Sequence, residues 1–166
     1  MTRREMIGMA SVGVIAAAIA ARFALSHGEA EPPPGNFPVR HSEAQWRTLL
    51  SAEAYRVLRE GATETPYTSP LLKEHRKGTF ACAGCSSPLF ASATKYDSHT
   101  GWPSFWDVLP GAIIERADNT LGMFRTEVLC KTCGGHLGHV FKDGPPPTGL
   151  RYCMNGAALS FTPQTA

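Results

Sequence analysis

The sequence predicts a mainly β domain, two antiparallel sheets packed as a sandwich or open barrel, with short helices at its N-terminal end. Two observations carry this expectation. Helical periodicity is confined to residues 42–60, and from Thr63 onward turn residues recur every few positions with only short apolar or alternating runs between them. Several short strands with little intervening helix pack as antiparallel layers. With 166 residues, 43% hydrophobic and 18% charged, the chain can bury one ordinary core.

The first segment, residues 1–26, is expected to stand outside that core. Arg3-Arg4 precede an uncharged run from Met6 to Ala21 made mostly of Ala, Gly, Ile and Val, which is the pattern of a signal peptide. Sixteen mildly apolar residues are short for a membrane span, which needs about 20. TRREMIG resembles the twin-arginine signal, whose receptor exports folded proteins, so a periplasmic location without stable membrane insertion is expected. An uncleaved anchor is the alternative. Without residues 1–26, thirteen basic and thirteen acidic residues remain. A neutral domain with no Lys/Arg cluster lacks the electrostatic footprint of a nucleic-acid binder. EPPPGNFP, within the stretch 27–40, reads as a stiff extended linker.

The domain then runs over residues 41–166. Ser42 with Gln45 forms a capping-box pattern, and Ser51 opens a second helix, AEAYRVLRE, that places Leu50, Tyr55 and Leu58 on one face before Gly61 ends it. Strands are expected over Gly78 to Ala83, Ala112 to Arg116, Met123 to Leu129, His139 to Phe141, Leu150 to Met154 and Leu159 to Thr162. GWPSFW, residues 101–106, reads as an aromatic loop around Pro103, either a core plug or a pocket wall.

Four of the five cysteines form two pairs, Cys82/Cys85 in CAGC and Cys130/Cys133 in CKTC. The C-x-x-C spacing lets two thiolates from one tight turn reach a single tetrahedral ion, and two such turns complete a structural zinc site. Forty-four residues separate the pairs, so a metal would tie distant segments rather than a local hairpin. Disulfides are the competing reading for an exported chain. Haem attachment fails because Ser86 and Gly134, not His, follow the pairs, and Gly134-Gly135 disfavours the helix that a thioredoxin-type dithiol requires.

Cys153 is left without a partner. A lone thiol is a candidate nucleophile if positive charge or donors favour its thiolate, and Arg151 with His136 and His139 of HLGH are candidates to supply them. In an extended segment the two histidines need not share a face, although Gly138 permits a bend. An inert core cysteine in a zinc-stabilised binding module is the competing reading, as is a thiol hydrolase.

Together the two C-x-x-C units, KYDSHTGWPSFW, RTEV, HLGHVFKDGPPPTGLRYCMN and LSFTP resemble, in that order, the peptide methionine sulfoxide reductases of the B type, which reduce the R epimer of methionine sulfoxide. The resemblance runs from about Ser42 to Pro163. It implies that Cys153 is the nucleophile, that His136 and His139 assist protonation of the sulfoxide oxygen, and that Asn155 and Arg151 shape the site. It further implies that Trp102 and Phe161 wall the methyl group and that Cys82, Cys85, Cys130 and Cys133 bind structural Zn2+. Many family members carry a resolving cysteine in DS-x-C-GW, where DSHTGW has Thr100. An external reductant, thioredoxin-like or a low-molecular-weight thiol, is therefore the expected partner.

Overall fold

The computed structural model describes residues 35–165; the expected signal segment and most of the linker lie outside them. Both expected helices form. Ser42 caps α1 (Glu43–Leu49) with the full reciprocal box, its Oγ accepting from the Gln45 N–H and its own N–H donating to Gln45 Oε1. Ser51 caps α2 (Ala52–Glu60), Gly61 closes it in the left-handed conformation, and Tyr55, Val57 and Leu58 are buried. Beyond Gly61 the described residues contain only short 3₁₀ turns and strands. No helix among them is long and apolar enough to cross a membrane.

Among the described residues, nine strands form two antiparallel sheets. The smaller holds β1 (Gly78–Cys82) between β2 (Pro88–Ala91) and β9 (Leu159–Pro163). The larger runs in the order β3 (Lys95–Tyr96), β4 (Ser104–Phe105), β8 (Arg151–Met154), β7 (His136–Phe141), β6 (Arg125–Cys130), β5 (Ile113–Asp118). The expected mainly β architecture of two antiparallel sheets is present. Three strands are additional: β2 begins at a proline, and β3 and β4 are two residues long, too brief to show a period. β7 also begins three residues earlier than expected.

Aromatic rings from both sheets meet in the core. Phe80 and Phe90, partners across β1 and β2, pack on Phe105 of β4, with ring centroids 5.0 and 4.3 Å apart, and all three are fully buried. Phe105 pairs with Tyr152 of β8, so this face of the larger sheet is the inner one. Side chains alternate along a strand, which turns Ser104 and Cys153 to the opposite face.

Candidate active site and metal centre

The strand register assembles the site. Tyr96 pairs with Ser104, Ser104 with Cys153, Cys153 with His139, His139 with Glu127 and Glu127 with Arg116. Directly opposed residues of antiparallel strands share a face, so one row of side chains crosses all six strands with the thiol near its middle. The adjacent row holds Arg151, Phe141, Arg125 and Asp118.

A β-bulge brings the second histidine into this row. Val128 pairs with Gly138 but Leu129 with His136, so Leu137 is the extra residue and the alternation shifts by one. His136 and His139, three apart in a strand, therefore point the same way, with ring centroids 5.4 Å apart. Gly138 makes this possible by close approach: a Cβ there would stand 2.2 Å from the Cys153 carbonyl oxygen.

Each imidazole is held by a carboxylate. His136 Nδ1 donates to Glu127 Oε1 at 2.7 Å, and His139 Nε2 donates to Asp118 Oδ2 at 2.8 Å. Arg116 pairs with Glu127 and Arg125 with Asp118, both at 2.7 Å. Hydrogen bonds from the Thr120 hydroxyl and N–H, then from His139, hold the Asp118 carboxyl far below the usual range. Burial lowers the His139 pKa, and the Asp118 bond opposes this without reversing it. His136 Nε2 is buried without a hydrogen-bond partner among the described residues, leaving one unsatisfied ring nitrogen on the sulfur face.

Burial also decides the state of Cys153. It pushes the thiol pKa up, while the Thr100 hydroxyl and the Arg151 charge pull down and do not offset it. Arg151 is committed elsewhere: its guanidinium makes two 2.8 Å bonds to the Asp143 carboxylate and lies 4.3 Å above the Phe141 ring. Thr100 Oγ1 stands 3.8 Å from Cys153 Sγ and joins the hydroxyls of Ser98 and Ser104 in a chain of 2.8 and 2.7 Å bonds.

The remaining sequence-derived residues separate. Trp102 is half-buried and borders a cavity of about 560 Å³ lined also by Tyr67, Lys73, Tyr96, Asp97 and His99. Cys153 does not line that cavity; Tyr96, from the sulfur's own row, does. Asn155 is buried, with its Oδ1 accepting from the Glu64 N–H and its Nδ2 donating to the Leu137 carbonyl, so it acts on the site by holding backbone. Phe161, on β9 of the smaller sheet, is partly buried, packs on Phe80 at 4.8 Å and lies beneath the exposed Arg76 guanidinium; none of these contacts involves Cys153. Asp118, Glu127 and Asp143 escaped sequence reasoning because cross-strand pairing leaves no local spacing to read. RTEV carries Glu127 but gives no sign of its partner.

The four paired cysteines converge. Both C-x-x-C units are hairpin turns of one design: Ser86 N–H donates to Cys82 O and Cys82 N–H to Ser87 O, as Gly134 N–H does to Cys130 O and Cys130 N–H to Gly135 O. Ser86 and Gly134 both take positive φ. One turn joins β1 to β2 and the other β6 to β7, one hairpin in each sheet. The sulfurs of Cys82 and Cys133 are 3.7 Å apart, those of Cys85 and Cys130 are 3.5 Å apart, and all four lie within 4.8 Å. A tetrahedral ion bonded to four thiolates at about 2.3 Å sets sulfurs about 3.8 Å apart, whereas a disulfide brings them to about 2.0 Å. None of the five cysteines is joined in a disulfide, and the cluster fits a closed four-sulfur metal site.

Comparison with known proteins matches residues 50–163 to the SelR domain. Curated relatives named peptide methionine sulfoxide reductase MsrB are similar over most of the chain. That of Agrobacterium fabrum is 55% identical over 126 residues, covering 75% of this chain and 93% of its own. That of Thiobacillus denitrificans is 56% identical over 124 residues, covering 74% and 94%. That of Leptospira interrogans is 52% identical over 127 residues, covering 76% and 97%. With a thiol and a carboxylate-held imidazole opposed across two strands and four further sulfurs gathered at the hairpin turns, the chain belongs to the SelR family of peptide methionine sulfoxide reductases of the B type.

Proposed function

We propose that the protein reduces the R epimer of methionine sulfoxide in peptides and proteins, with Cys153 as nucleophile and an external thiol as reductant. The supporting observation is the register pair His139–Cys153, which sets a histidine beside the one cysteine outside the four-cysteine cluster. The Cys153 sulfur attacks the sulfoxide sulfur as an imidazolium, His139 first, protonates the oxygen. The substrate S–O bond breaks and a new S–O bond forms on Cys153. The substrate sulfur gains the electron pair and leaves as methionine, and Cys153 becomes a sulfenic acid. One external thiol then condenses with it, releasing water, and a second displaces Cys153 and carries the disulfide away.

A buried thiol with a raised pKa and a histidine with a lowered one suit a coupled transfer, in which sulfur gives up its proton as the substrate oxygen receives one. Trp102 would face the S-methyl group, and Arg151 and Asn155 would fix strand and thiol. Because Thr100 supplies a hydroxyl where a resolving thiol would stand, the oxidised sulfur awaits an outside donor of thioredoxin-like or low-molecular-weight type. Cys82, Cys85, Cys130 and Cys133 would hold one Zn2+, which ties the two hairpins together and takes no part in the reaction. Export by a twin-arginine-type signal belongs to the same reading, because it allows metal insertion before the chain reaches the periplasm.

Turnover of peptides bearing each sulfoxide epimer, with dithiothreitol as reductant, tests this. The wild type is expected to consume the R epimer alone, and Cys153→Ser to lose at least about a thousandfold. Equal use of both epimers, or retained activity in Cys153→Ser as a binding module with a structural thiol requires, would contradict it.

A further inference from the structure

We infer that Glu64 is a positioning residue that holds the Trp102 wall of the pocket in register with the Cys153 and histidine strands; this rests on the reductase reading above. Glu64 lies in the segment between α2 and the 3₁₀ turn at 70–73 and is only 6% exposed. Its backbone and side-chain polar groups all bond within the site. Its carbonyl oxygen accepts the indole Nε1–H of Trp102 at 3.1 Å. Its N–H donates to Asn155 Oδ1 at 2.9 Å, and Asn155 Nδ2 reaches the carbonyl of Leu137, the bulge residue between the two histidines. Its two carboxylate oxygens accept the N–H groups of Gly156 and Ala157 at 2.6 and 2.8 Å, immediately after the Cys153 strand.

One residue from outside both sheets thus connects the aromatic wall and the histidine strand through its backbone and the end of the thiol strand through its carboxylate. It does so without a described cationic partner, and a carboxylate buried that way costs stability that two N–H donors only partly return. Burial accordingly raises the Glu64 pKa against those two bonds. A residue serving the fold alone would do better neutral. A residue that must hold two adjacent N–H groups while presenting its own carbonyl to Trp102 needs both carboxylate oxygens. Glutamine keeps the shape but turns an NH2 toward one of those N–H groups.

The test is steady-state kinetics of Glu64→Gln and Trp102→Phe on an R-sulfoxide peptide, beside iodoacetamide alkylation of Cys153 and thermal melting. For Glu64→Gln, KM is expected to rise about tenfold, with kcat within about threefold and alkylation unchanged, because the wall shifts while the thiol keeps its surroundings. Trp102→Phe, which removes the indole N–H together with part of the ring surface, is expected to raise KM severalfold and to combine with Glu64→Gln less than additively. An unchanged KM in Glu64→Gln, whatever its melting temperature, overturns the inference. Should Glu64→Gln not fold, an unchanged KM in Trp102→Phe overturns it equally. Absence of turnover in the wild type would instead count against the reductase reading.

Discussion

At the scale of single residues, proximity and burial compete. The sequence identified Cys153 by subtraction, since two equal pairs leave one thiol over, and it named Arg151 as a source of positive charge. The structure keeps that arginine near but commits it to Asp143, so burial wins and the thiol pKa rises. His139 is similar: an unperturbed imidazole would hold some proton at neutral pH, but burial draws its pKa down and Asp118 restores only part. The sign of a test follows. Asp118→Asn removes a contribution that raises the His139 pKa, so the imidazolium disappears at lower pH. The alkaline limb of the kcat/KM profile should move to lower pH, with activity at neutral pH falling about tenfold. A profile unmoved by Asp118→Asn would show that His139 is not the donor. None of the carboxylates involved was legible beforehand, because Asp118 and Glu127 reach their histidines, and Asp143 reaches Arg151, from outside the strand that carries the partner.

At the scale of elements, the decisive feature is one extra residue in β7. Regular alternation would place His136 and His139 on opposite faces, and the sequence offered only Gly138 as a sign that it fails. The bulge at Leu137 reverses the parity, and Gly138 passes so close to the thiol strand that no side chain fits. Gly138→Ala is expected to cost about 2–3 kcal/mol of unfolding free energy through overpacking against the Cys153 carbonyl, and to lower turnover out of proportion to the folded fraction. Wild-type turnover and an unchanged denaturation midpoint would contradict the bulge as the positioning device. The capped helices were legible because Ser42, Gln45, Ser51 and Gly61 carry local signals. β3 and β4 were not, since two residues cannot display a period, and β4 is fixed in the sheet by β8, a partner about fifty positions away.

At the scale of the molecule, the two sheets are joined by aromatic packing within and by two hairpin turns at the cysteine cluster. The spacing of CAGC and CKTC made a four-sulfur site legible, and even its role as a tie between distant segments. Which segments could not be read, because that depends on β1–β2 and β6–β7 belonging to different sheets. The resulting division of labour, four sulfurs engaged and one reactive, is the central claim. It is tested most directly by mass spectrometry of the purified domain after one turnover with an R-sulfoxide peptide and no reductant. The expected product carries one zinc ion per chain and one added oxygen on Cys153, captured by dimedone, with Cys82, Cys85, Cys130 and Cys133 unmodified. A disulfide joining Cys153 to any of those four, or an oxidised chain with Cys153 untouched, would contradict it.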